Sequence, residues 1–158
     1  MAFGTVSVMS QRITNFDHEY AFLSNFYSVD IEFCGLIYST LEHAYQAAKT
    51  EDQKSRAVIQ SAKTPGVAKK LGQKVKLKRD WDKRKLVIME NLLRQKFHNK
   101  ELRQMLLDTG DAELVEGNWW GDKFWGVCQG VGKNHLGRLL MEIRSDIQAQ
   151  QRGIICWD

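Results

Sequence analysis

The sequence has a single proline in 158 residues, three cysteines, and no apolar run approaching the ~18 residues that a membrane span requires. With 27% charged residues beside that one proline, collagen, a mucin-like stalk and a disordered chain are excluded. The cysteines Cys34, Cys128 and Cys156 are odd in number, far apart, and form no C-x-x-C pair. That spacing argues against a disulfide framework or a zinc ribbon and for a reducing compartment. The four histidines are equally scattered, in no H-E-x-x-H or H-x-E pattern, so nothing local calls for a metal or another cofactor. The first twenty residues lack the charged-then-apolar order of a secretory signal. A cytoplasmic protein with no membrane contact is the expectation.

What is present suits one domain. Hydrophobic residues make up 43%, with 16 aromatics, enough for a single core but not for two. Residues 11–150 are expected to form that domain, between a disordered N-terminus at 1–10 and a C-terminal tail at 151–158. The net charge of +4 hides an asymmetry: residues 54–103 hold 16 Lys/Arg against 4 Asp/Glu, and the remainder carries −8. Nine of those basic residues lie between Lys69 and Lys85. Such a run is either the solvated face of amphipathic helices or a field that gathers a phosphorylated substrate. Trp81 stands almost alone as an aromatic within it, so a dedicated nucleic-acid module is not indicated.

Helix dominates the pattern. Residues 13–16, 31–33, 36–38 and 114–115 read as short strands, and the aromatic stretch 20–27 has no clean period. Ser39 and Glu42 have capping-box spacing and open a helix over 41–49, with Leu41, Ala44, Tyr45 and Ala48 on one stripe. Further helices are predicted over 53–62, from Thr64-Pro65 to Leu71 with Gly72 ending it, and from the cap Asp80. Leu86, Met89, Leu92, Leu93 and Phe97 give that fourth helix its inner face. Asn99 caps a fifth, closed by Gly110, and Asn134 opens the last. The fold class is therefore α+β, mainly α, a compact domain with a few short strands.

Three segments carry polar residues that these rules do not use. Ser24, Asn25 and Phe26 suit a turn, as Ser and Asn ordinarily do. Glu42 and Lys49, seven residues apart, project in nearly the same direction about 10 Å apart along a helix; alternatively Glu42 serves the cap and Lys49 the helix dipole. Residues 116–126, with three tryptophans, a phenylalanine and three glycines, either tuck a loop onto the core or wall a site for a flat heterocycle faced by Glu116 or Asp122.

Read in series, the segments resemble the NADAR, or YbiA-like, superfamily of N-glycosidases. The match comprises F-L-S-N-F-Y at 22–27, S-T-L-E-H-A-Y-Q-A-A-K at 39–49, R-D-W-D at 79–82 and K-F at 96–97. It continues with L-V-E at 114–116, D-K-F-W-G at 122–126 and G-K-N-H-L-G-R-L-L-M-E-I-R at 132–144. One departure is E-G-N-W-W-G-D at 116–122, where many members have a shorter, proline-containing stretch. The resemblance implies a compact, mostly helical domain that cleaves the bond between a ribose C1 and an exocyclic amine. Two substrate groups follow: ADP-ribosylated guanine in nucleic acid, which the stand-alone chain and its basic stretch favour, or ribosylamino-pyrimidine phosphates of riboflavin biosynthesis. No obligate protein partner is implied.

The resemblance places Glu42, Lys49 and Asp122 as catalytic residues. Ser24, Asn25, Phe26, Trp81, Glu116, Trp125, Gly126 and Asn134 would bind substrate, with phosphates held by the lysines of 74–85. Lys49 would act as an amine nucleophile with Glu42 moving protons. In the rival route, Glu42 or Asp122 activates water. A non-catalytic sensor of ADP-ribose or an NAD-derived ligand has less need of both acid and amine.

Overall fold

Strand pairing ties distant parts of the chain together. In the computed structural model, which describes residues 11–153, β1 (Arg12–Ile13) lies parallel to β4 (Glu113–Leu114). β2 (Ser28–Phe33) and β3 (Leu36–Thr40) form an antiparallel hairpin whose turn residues, Cys34 and Gly35, both have positive φ. That is the backbone a two-residue hairpin needs for its strands to twist together. β5 (Gly117–Asn118) pairs parallel with β6 (Val127–Cys128), so a strand pair closes the tryptophan-rich stretch 116–126. The first predicted strand is shorter than expected, and the aperiodic aromatic stretch opens as a 3-10 turn over His18–Leu23. The expected terminal disorder at 1–10 and Cys156 fall outside the described residues, of which 151–153 close the last helix and its turn. No helix among the described residues is long and apolar enough to cross a membrane.

The described residues hold six α-helices: α1 (Leu41–Ala48), α2 (Gln53–Gln60), α3 (Pro65–Gly72), α4 (Trp81–Lys96), α5 (Lys100–Asp108) and α6 (His135–Gln151). Asp52, Thr64 and Asn99 cap theirs through side-chain oxygens. The capping box does not form. β3 runs on to Thr40, whose hydroxyl accepts from the His43 N–H at 3.2 Å, so the cap falls one residue later than expected. Glu42 is thereby released from any capping duty. Asp80 precedes α4 but pairs with Arg84 instead of capping it. Gly72 is the last residue of α3 rather than its stop, and Leu86 is exposed where Ile88 takes its inward place.

The core is built round α1, all eight residues of which are buried among α2, α3, α4 and the hairpin. An eight-residue helix with Glu42, His43 and Gln46 has no apolar surface all round, so its polar groups must be met inside the fold. His43 is met structurally: its Nε2 donates to the Ala62 carbonyl at 3.0 Å, and its Nδ1 lies 2.7 Å from the Thr40 hydroxyl. α6 closes the far side, with Leu140, Ile143 and Ile147 fully buried.

Candidate active site

Glu42, Tyr45 and Gln46 of α1 and Lys49 at its C-cap face a cavity of about 350 Å³, whose other walls come from α4, residues 24–26, residues 116–125, Lys69 of α3 and Leu136 of α6. Glu42 is 6% exposed and accepts a 2.6 Å hydrogen bond from Gln46 Nε2. Its backbone N–H donates to the Asn25 carbonyl at 3.0 Å, which draws the 24–26 loop onto the helix. Burial pushes the Glu42 carboxyl above its ordinary range, against the opposing pull of Gln46, Lys69 and Lys49. Burial likewise lowers the pKa of Lys49; Glu42 opposes this, while Lys69 and Lys85 add to it. A lysine held among other cations in a half-dry pocket loses its proton more readily than one in water.

The second carboxylate was expected only to touch substrate. Glu116 is pushed up to about 7, first by burial and then by the neighbouring Asp122 and Glu42 carboxylates. Its Oε2 is buried without a hydrogen-bond partner, as are Asn25 Oδ1 and Gln46 Oε1. All three belong to cavity-lining residues. Buried oxygens left unpaired are costly unless something polar enters the cavity to meet them.

The third carboxylate holds its own loop. Asp122 Oδ1 accepts from the N–H groups of Phe124 (3.0 Å) and Trp125 (2.9 Å), while Asn118 bonds Asp122 at both its N–H and its carbonyl. This clamp sets Trp125 edge-on to Tyr45, with centroids 5.6 Å apart, and Tyr45 in turn sits 5.3 Å from Trp81. Burial, reinforced by the Glu42 charge, raises the Tyr45 hydroxyl pKa far above its ordinary value. The phenol therefore stays protonated.

Of the expected site residues, Ser24, Asn25, Phe26, Glu42, Lys49, Trp81, Glu116, Asp122 and Trp125 all line this cavity. Two do not. Gly126 lies under the Glu116 backbone, where a Cβ would collide with the Glu116 carbonyl. Asn134, at positive φ, spends its amide on the Glu116 N–H (3.0 Å) and the Leu114 carbonyl (2.9 Å). Both position Glu116 instead of facing the cavity. Among the basic run, Lys69 and Lys85 reach the cavity, whereas Lys74, Lys76, Lys78 and Lys83 do not. Sequence reasoning placed Lys69, Gln46, Phe124 and Trp120 in its basic run and motifs without naming them as site residues, although Lys69 stands three residues before Gly72, on the side of α3 that meets α1.

Gly72 explains how that side can approach. A Cβ there would overlap the Gln46 side chain that holds Glu42. Gly72→Ala is therefore expected to displace Gln46, destabilise the fold by about 1–3 kcal/mol and lower activity beyond the fraction unfolded. Denaturant titration beside turnover at full folding measures both.

The site thus brings together an amine, three carboxylates, two further cations and a cage of aromatic rings. A family model described as the NADAR domain matches residues 13–148. N-glycosidase YbiA of Escherichia coli is 38% identical over 151 residues, covering 91% of this chain and 94% of that protein. An N-glycosidase of Nostoc punctiforme is 40% identical over 136 residues, covering 82% and 86%. A riboflavin biosynthesis protein of Vibrio vulnificus is 35% identical over 84% of this chain but only 37% of its own. The NMR structure of E. coli YbiA superposes with a TM-score of 0.79, covering 92% of this chain and 90% of that one at 38% identity. By sequence, by fold and by the residues gathered at its cavity, the chain belongs to the NADAR family.

Proposed function

We propose that this hydrolase of N-glycosyl bonds removes ADP-ribose from guanine bases of modified DNA. The N-glycosidase names of relatives at 38% and 40% identity support the reaction class. The observation that carries the finer reading is the mouth of the cavity. Phe26 (44% exposed) and Trp120 (50% exposed) line it beside Lys69 and Lys85, with the Lys69 ammonium 5.4 Å from the Trp120 ring. At about 350 Å³ the cavity lies near the lower end of the ~300–1,000 Å³ usual for ligand sites. It suits the scissile sugar and one neighbour, leaving phosphates to the lysines and the attached strand to the exposed rings.

The chemistry follows from the amine and the acids. An acid in the site protonates the ribose ring oxygen as the C1–O bond breaks, leaving C1 doubly bonded to the guanine amine. Unprotonated Lys49 adds to C1, its proton passes to the guanine nitrogen, and the C1–N bond to guanine breaks. Water then hydrolyses the Lys49 imine, freeing ADP-ribose and the amine. Glu42 and Glu116, both held protonated more readily than ordinary carboxylates, supply the acid.

A second reading takes ribosylamino-pyrimidine phosphates as substrate, supported by the riboflavin biosynthesis protein that matches 84% of this chain. Incubating the protein separately with guanine-ADP-ribosylated single-stranded DNA and with the pyrimidine phosphates, with mass spectrometry of the products, separates them. Release of ADP-ribose that Glu42→Ala lacks is expected. Cleavage of the pyrimidine compounds alone would move the assignment to the second reading.

A further inference from the structure

A second recess, of about 440 Å³, lies beside the catalytic cavity, and one short segment separates the two. Glu116 and Trp120 line the cavity, whereas Gly117, Asn118 and Trp119 line the recess. Trp119 is 86% exposed, and its ring meets that of Trp120 edge-on with centroids 5.8 Å apart. Lys69, Trp120 and Trp119 thus form a continuous track of cation and rings leading out of the cavity. Around Trp119 the recess offers the side-chain amides of Asn15 and Gln129 and the guanidinium of Arg12, which pairs with Glu113 at 2.9 Å while half exposed.

An exposed indole beside amides and a guanidinium has the chemistry of a nucleotide seat: a face for stacking, donors and acceptors for a base edge, and a cation for phosphate. Resting on the nucleic-acid reading above, we propose that this recess holds the base of the nucleotide next to the modified guanine, stacked on Trp119. The enzyme would then prefer a single strand, in which neighbouring bases can splay apart, to an isolated modified nucleotide or a duplex.

Turnover is compared on an ADP-ribosylated guanine mononucleotide and on a single-stranded oligonucleotide carrying the same guanine internally, using the wild-type chain, Trp119→Ala and Trp119→Phe. Trp119 is so exposed that neither variant should disturb folding. Loss of one stacked base corresponds to roughly a 5- to 150-fold change. Trp119→Ala is expected to lower kcat/KM on the oligonucleotide by that factor, mainly through KM, and to leave the mononucleotide unchanged; Trp119→Phe should restore most of the loss. Equal effects on both substrates, or on neither, would overturn the proposal while leaving the N-glycosidase reading intact. If wild type cleaves neither substrate, the functional reading fails, and quenching of tryptophan fluorescence by unmodified single-stranded oligonucleotide still decides the recess. Quenching that Trp119→Ala reduces supports it. No quenching, or a concentration-dependent dimer that Trp119→Ala disperses, overturns it.

Discussion

Replacing Lys49 with alanine is expected to lower turnover on the order of 10³-fold or more, the scale seen when a covalent nucleophile is removed. Lys49→Arg should not restore it, because a guanidinium keeps its proton where an amine can lose it. Circular dichroism and denaturant midpoint should barely move, since the ammonium makes no ion pair among the described residues and faces the Tyr45 ring at 5.7 Å. The pH profile supplies a finer check. The imine route requires Lys49 as the free amine, so rate should rise with pH through its lowered pKa. The acid must carry a proton, so rate falls again as Glu116 ionises near its value of about 7. Glu116→Gln should therefore flatten the alkaline fall and leave the acid limb in place. A profile still bell-shaped in that variant would assign the acid to Glu42 alone.

The second large effect concerns Lys96, a lysine that α4 buries completely. Its ammonium donates to the Ser24 carbonyl at 2.7 Å and lies 5.7 Å from the Tyr27 ring and 5.5 Å from the Phe97 ring. Burial, opposed weakly by Glu116, lowers its pKa to about 7. The unfolded chain binds this proton up to about pH 10.4. Between pH 7 and 10 the unfolded state therefore holds the proton that the folded state has lost, and stability rises with pH. The gain from this group over that interval is roughly 2–5 kcal/mol. Lys96→Met removes the dependence. The variant is expected to match or exceed the wild type at pH 7, to lose that advantage by pH 10, and to turn over more slowly because the Ser24 carbonyl has lost its donor and the 24–26 loop is less firmly placed. Urea titrations of both proteins across pH 7–10 measure it; parallel stability curves would contradict the assignment.

The helices were legible wherever a rule has one solution. The leucines and isoleucines of α6 repeat at helical spacing and all lie inside, and Asn99 caps α5 with two hydrogen bonds accepted by its Oδ1. Where two neighbours satisfy the same rule, the sequence is ambiguous. Ser39 and Thr40 both suit a cap, and only the strand pairing of Ser28 with Thr40 decides that the strand runs to the second. The α1 side chains were found by motif, but their setting was not: an apolar stripe implies a polar face in water, and in the fold that face meets the cavity instead. Gly126 and Asn134 show the converse. They stand in motifs with cavity-lining residues, and in the fold they meet the Glu116 backbone outside the cavity, a placement that spacing along the chain does not reveal. Lys96 was the least legible of all. Lysine reads as surface by type, and only the four-residue step from Leu92 hinted that α4 turns it inward.

The most direct measurement is trapping during turnover. Sodium borohydride is added while the protein acts on guanine-ADP-ribosylated single-stranded DNA, and the protein is digested and weighed by mass spectrometry. Hydride reduction of a C1 imine should leave ADP-ribose fixed as a secondary amine on the peptide containing Lys49, only with substrate present and never in Lys49→Ala. Absence of the adduct, with Lys49→Ala still releasing ADP-ribose, would contradict the imine route and leave direct attack by water activated at a cavity carboxylate.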